Sequence, residues 1–224
     1  MEGMLVHKID RTRVPTPACL AAPTVAHYDR LRGADKEAIR QALFAIQGER
    51  CAYCERRTGT GDKDGHIEHF RNQANHAHLD LHWPNLFWSC NDTNTCGKHK
   101  DDCDIKNGTS TKAEFSPDDI IDPSIDDPDD YLVFVYDGEV KPRTDLTEPQ
   151  LKKATETLRV FQLADSSFLR KSRADAAAPY VSHLDLLREI APDRICAYAQ
   201  SELGKTQHAP FYTVIRHFLS QFAC

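Results

Sequence analysis

Two cysteine pairs bracket an acid and a histidine in the segment from Cys51 to Lys100, and these residue types bind metals and move protons. Cys51 and Cys54 have the C-x-x-C spacing of a zinc knuckle, where a tight turn brings two thiolates to one tetrahedral ion. Cys90 and Cys96, separated by a longer gap, are placed to complete that site from the far side. Between the pairs, Glu68 and His69 offer a hard oxygen ligand and an imidazole that titrates near neutrality. A basic stretch containing His99 follows the last of these cysteines.

Such residues need elements to hold them. Ile39, Leu43 and Ile46 recur at helical spacing, so Asp35 to Gln47 reads as an amphipathic helix delivering the chain to the knuckle. Gly59, Gly61 and Gly65 make a loop before a strand, HIEHF, and the polar run from Asn72 to His82 is a long loop between two strands. The basic segment after Cys96 is then a helix. Residues 1–20 read as an extended arm, and the proline-punctuated acidic segment 116–130 as a linker or a strap wrapped on the surface. YLVFVY, Asp137-Gly138 and EVKP give a hairpin signal, because Asp-Gly tolerates the positive φ of a tight turn. Beyond it Thr147 precedes a helix whose Leu151, Ala154, Leu158 and Phe161 share a face, and further helices are expected at 166–177, 179–190, 192–203 and 210–222.

The motifs CAYCE, IEHF and NLFWSCN resemble the core of the HNH (ββα-metal) endonucleases. They are most similar to the HNH nuclease subunits of Septu and retron-linked antiphage systems (PtuB-like). IDPSIDDPDDYLVF-DG and FYTVIRHFL resemble the downstream pattern of that branch, so the likeness runs from about Gln47 to the end. It implies an α+β, mostly α fold: a zinc-stapled ββα-metal nuclease unit on a predominantly helical body with one small β-hairpin. The corresponding division is an N-terminal arm and helix over 1–46, the nuclease unit over 47–110, and the strap, hairpin and helical region over 111–224. In the HNH pattern His69 is the general base, Glu68 holds a catalytic Mg²⁺ or Mn²⁺, and Asn85 stiffens the loop and orients the base. Zinc on Cys51, Cys54, Cys90 and Cys96 is structural. Many family members place a histidine ligand immediately after the last zinc cysteine, where this chain has Gly97. His99 is the expected second ligand of the catalytic ion, with Asp102 or Asn107 as alternatives, and Cys103 competes with Cys96 for the zinc.

Hydrophobic residues at 40% and charged residues at 28% describe an ordinary globular chain. MEGMLVHKID lacks the apolar core of a signal peptide and no run reaches membrane-spanning length, so a cytoplasmic protein without membrane association is expected. In that setting the eight cysteines are metal ligands and free thiols, with Cys19, Cys196 and Cys224 among the free ones. A net charge of −6 is unusual for a partner of phosphates, and much of it sits between Thr111 and Asp130, where eight carboxylates face one lysine. The resemblance to an antiphage subunit implies weak activity alone and dependence on a PtuA-like ATPase subunit, and the negative charge and the extra helical body agree with it. The nucleic acid substrate is DNA or RNA, and a tRNA- or RNA-cleaving effector of a retron system is the alternative. Two other classes compete. His66-Ile67-Glu68 has the H-x-E form of a zinc deaminase, but the Pro-Cys-x-x-Cys that must follow is missing. A noncatalytic zinc module binding a partner or nucleic acid needs only the cysteines. His66, His76, His78 and His82 read as loop residues, and Trp83 and Trp88 as core.

Overall fold

The computed structural model describes residues 8–103 and 114–224. An antiparallel hairpin lies at the centre of the site region. Strand β1 (Gly65–His69) pairs with β2 (Leu86–Cys90), with Gly65 opposite Cys90, Glu68 opposite Phe87 and His69 opposite Leu86. Every residue of β2 is buried, which suits its nearly continuous apolar sequence. Helix α2 (Gly33–Ile46) follows a short helical turn, α1 (Ala18–Ala21), and lays Ile39, Leu43 and Ile46 into the core as the periodicity requires. Each such side chain contributes about 1.5–3 kcal/mol of burial. Gly48 and Glu49, at φ +61° and +62°, turn the chain away from the helix end. Gln47 then spends its side-chain amide on β2: its Oε1 accepts from Trp88 N at 2.8 Å and its Nε2 donates to Trp88 O at 2.9 Å. The knuckle adds to the same edge, Ala52 N donating to Trp88 O at 3.0 Å. Arg11 clamps the N-terminal arm over Trp83 and Phe87 and donates to the carbonyls of Pro84 and Leu86.

Helix α3 (Cys96–Cys103) packs on β2 and completes a ββα arrangement. The remaining elements form an α-rich layer around a second small hairpin: β3 (Leu132–Phe134) with β4 (Val140–Pro142), then α4 (Glu148–Val160), α5 (Ser167–Ile190), α6 (Ile195–Lys205) and α7 (Tyr212–Leu219). The architecture is α+β, as the motifs imply. The acidic segment is a strap: Ile120 and Ile121 are buried beneath it, while Asp118, Asp119 and Asp126 pair with Arg71, Lys152 and Lys153. The charge run therefore has an apolar underside, which its composition hides.

Three expectations need correction. Residues 167–190 form one helix, not two, because Arg173, Ala177, Leu184 and Leu187 lie on one buried face that spans the proline at 179; packing outweighs the lost hydrogen bond. Leu151 does not join the buried face of α4 and is 46% exposed. Cys196 and Cys224 are joined in a disulfide across 28 residues, so they are not free thiols. Gly138 holds the turn of the second hairpin at φ +86°, and a Cβ there would clash with the Arg170 carbonyl of α5. Gly138→Ala is expected to cost about 2–4 kcal/mol, adding left-handed strain to a backbone clash. Urea unfolding measures it; a loss below about 1 kcal/mol would contradict the close approach.

Candidate metal centre and histidine site

The hairpin end, the knuckle and the start of α3 bring four thiols together. The sulfur atoms of Cys51, Cys54, Cys90 and Cys96 all lie within 4.8 Å of one another, and all four residues are buried. The knuckle turn is closed by Glu55 N donating to Cys51 O at 3.2 Å and Cys51 N donating to Arg56 O at 3.0 Å. Glu55 takes φ +60° to do this, and Cys96 takes φ +56° where the chain enters α3, with Cys96 N donating to Phe161 O at 2.9 Å. Such conformations are uncommon outside glycine. Here the contacts around the turn hold them.

Burial pushes the Cys51 thiol up, but hydrogen bonds from Cys54, Cys90 and Cys96 reverse this and hold it well below the ordinary range. Hydrogen bonding to Cys51 pushes Cys54 well up, and burial followed by the same contact does so for Cys96. A buried set of four sulfurs at these spacings fits a tetrahedral zinc ion, which replaces the shared protons. Two guanidinium groups stand nearby. Burial pulls Arg56 down, but the Cys90 and Cys54 sulfurs, with Asp92 and Cys51, together hold it above its usual range. Arg173, 2% exposed on α5, is pulled down to about 10 by burial, with Cys54 opposing. Cys103 is buried outside the quartet, with its sulfur 3.8 Å from His99 Nδ1, so Cys96 and not Cys103 completes the four.

The period of β1 sends its residues to opposite faces. His66 and Glu68 face α3; His69 faces the loop before β2. Glu68 is 2% exposed and its Oε1 lies 2.8 Å from Nζ of Lys100, itself fully buried. Its Oε2 lies 3.1 Å from His66 Nε2, and His66 Nδ1 lies 2.9 Å from Asn91 Oδ1. Lys100 also donates to His69 O at 3.2 Å. Burial raises the Glu68 carboxyl, but the Lys100 charge, with His66 next, brings it below its usual range. Gly97 closes the other side: a Cβ there would lie 2.7 Å from Glu68 Oε2.

The single carboxylate is already balanced by an ammonium, and Gly97 has no side chain to offer. His99, the expected second ligand, puts Nδ1 2.8 Å from Val160 O at the end of α4, away from Glu68. Asp102 is exposed, and Asn107 lies outside the described residues. Among the described residues, the cysteine quartet is the cluster of His, Cys, Asp or Glu groups with metal-binding proximity.

On the other face His69 Nε2 lies 3.0 Å from Asp80 O and 3.1 Å from Asp80 Oδ1. Asn85 closes the intervening loop: its Oδ1 accepts from Arg71 N at 2.8 Å, and its Nδ2 donates to Arg71 O at 3.0 Å and Leu79 O at 3.2 Å. Sequence reasoning missed Asp80, Lys100 and the role of His66, which lies in the expected strand HIEHF and meets Glu68. The H-x-E spacing could have put His66 beside Glu68, since alternate strand residues share a face. Nothing local marks Asp80.

Fold and site together define an α+β protein whose ββα unit carries a buried four-cysteine cluster spaced to hold a metal ion. No family model matches the chain. Over 97 residues it is 29% identical to the Septu protein PtuB of Bacillus thuringiensis, a match that takes in 43% of this chain and 33% of that protein. The chain thus aligns with about a third of that relative's length. Among the described residues, no helix is long and apolar enough to cross a membrane.

Proposed function

We propose that this chain is an HNH-type endonuclease, the nuclease effector of a Septu-like antiphage system acting with a PtuA-like ATPase. The observation that carries the reading is the pairing of Glu68 and His69 on one strand of a cysteine-pinned ββα unit, with the His69 ring held by the loop that Asn85 closes. The partial likeness to PtuB supports it. His69 takes the proton from the water that attacks the phosphorus, so the departing 3′-oxygen leaves a 5′-phosphate on the other product. Glu68 and Lys100 lock the strand carrying His69 to α3. A Mg²⁺ or Mn²⁺ ion at Glu68, which the family resemblance implies, would compete with the Lys100 ammonium for the same carboxylate, so no step is assigned to it.

His69→Ala is expected to lower the nicking rate of supercoiled plasmid about 10²–10⁴-fold, the range of a positioned general base, while leaving zinc content unchanged. The assay includes the ATPase partner, Mg²⁺, Mn²⁺ and EDTA arms, and a tRNA substrate. Equal cleavage by wild type and variant would sink the reading. A second reading, a noncatalytic nucleic-acid-binding zinc module, is favoured by a polar depression of about 420 Å³ where Arg56, Arg57 and Lys63 outnumber Asp64 and Asp92. It requires binding without cleavage in every arm.

A further inference from the structure

We infer that Asp80 is the positioning residue for His69, forming a carboxylate–imidazole pair that fixes the ring and leaves Nδ1 as its proton-accepting atom; this deepens the nuclease reading and rests on it for its catalytic consequence. Both groups facing Nε2 are oxygen acceptors: the Asp80 carbonyl at 3.0 Å and its Oδ1 at 3.1 Å. In the neutral ring the proton must therefore sit on Nε2, and the lone pair on Nδ1. Among the described residues Nδ1 takes no hydrogen bond. The ring is also braced edge-on by Tyr28, with centroids 5.2 Å apart at 84°.

Asp80 is itself fixed, as a positioning group must be. It is 3% exposed. Its Oδ2 accepts from Tyr28 N at 3.0 Å and lies 3.3 Å from His27 Nδ1; its Oδ1 accepts from Gln73 Nε2 at 2.5 Å. Burial would raise this carboxyl, but the bonds from Gln73 and Tyr28, with the His69 charge after them, keep it below its usual range. It remains anionic beside the imidazole. When His69 takes a proton at Nδ1, the resulting cation sits 3.1 Å from a carboxylate oxygen, so the transition state gains more from Asp80 than the ground state does. Three separate stretches converge on this pair: β1 supplies the histidine, the loop before β2 the aspartate, and the segment before α2 the Tyr28 brace.

Long-range ¹⁵N–¹H NMR of the histidine ring in the full-length zinc-loaded chain tests the pairing directly. The expected signature is the Nε2–H tautomer for neutral His69; a dominant Nδ1–H tautomer overturns the inference whatever the protein does. The kinetic arm uses Asp80→Asn in the plasmid-nicking assay. The Asp80 backbone carbonyl persists in that variant, so the expected loss is about 10–100-fold, below that of removing the base itself. Asp80→Glu should recover part of the rate. Zinc content and thermal midpoint are measured alongside, and the wild-type tautomer decides the matter if Asp80→Asn folds poorly. If His69→Ala abolishes cleavage while Asp80→Asn keeps the wild-type rate, Asp80 has no positioning role and the nuclease reading survives. If His69→Ala changes nothing, the nuclease reading fails and the tautomer alone decides whether the pair exists.

Discussion

Chelation at neutral pH should remove one zinc per chain and collapse the cooperative unfolding of the ββα unit. The quartet joins the knuckle, the end of β2 and the start of α3, elements whose own contacts are short. Structural zinc sites in small units carry about 10–16 kcal/mol of apparent binding free energy, which is folding free energy when the unfolded chain has no preformed site. Cys51→Ser should bind less than one zinc per chain and show a lower thermal midpoint than Cys103→Ser or Lys100→Met. Cys103→Ser should keep the full zinc content, because its sulfur lies with His99 and outside the quartet. Metal analysis with thermal unfolding checks both. Full zinc in Cys51→Ser, or loss of zinc in Cys103→Ser, would show that the quartet is not the metal site.

Lys100→Met is expected to destabilise the fold by about 3–5 kcal/mol, because it strands the buried Glu68 carboxylate without its nearest cation. The double variant Lys100→Met/Glu68→Leu should recover much of the loss, since an apolar pair of similar volume carries no desolvation penalty. The pH dependence gives the sign. In the wild type the folded Glu68 carboxyl lies below its unfolded value, so its stabilisation is fully present above the unfolded value and is lost as pH falls through the folded one. Without Lys100, burial dominates and the folded value moves above the unfolded one. Lys100→Met should therefore gain stability relative to the wild type on acidification from pH 7 to about pH 5. Urea midpoints over that range decide it; parallel curves would show that the pair is not coupled.

How much of this was legible in the sequence depends on how local each cause is. The C-x-x-C knuckle and the opposite facing of Glu68 and His69 follow from turn and strand geometry within a few residues. The face of α2 follows from its period, and Ile39, Leu43 and Ile46 are all buried. His99 could not be placed, because the rotation of α3 depends on the left-handed Cys96 that opens it and on the Phe161 carbonyl that holds it. That rotation turns Gly97 and Lys100 toward Glu68 and His99 toward Val160. Asp80 was hidden for a related reason: its approach to His69 is set by the loop that Asn85 closes, eleven positions along the chain from the histidine. The Cys196–Cys224 bond joins positions whose spacing carries no signature.

Arg173 has a consequence that reaches beyond the metal centre. Its guanidinium donates to Gly138 O and Leu163 O, both at 2.8 Å, and among its neighbours are the Cys54 and Cys96 sulfurs. Zinc held by four thiolates bears a formal charge of about −2, and a cation entombed on α5 offsets part of it. The second hairpin, the long helix and the cysteine quartet therefore share one set of compensating charges. Oxidation of the sulfurs or removal of a metal they hold would leave that guanidinium with Glu55 as its remaining counter-charge, and damage at the knuckle would spread into the helical layer.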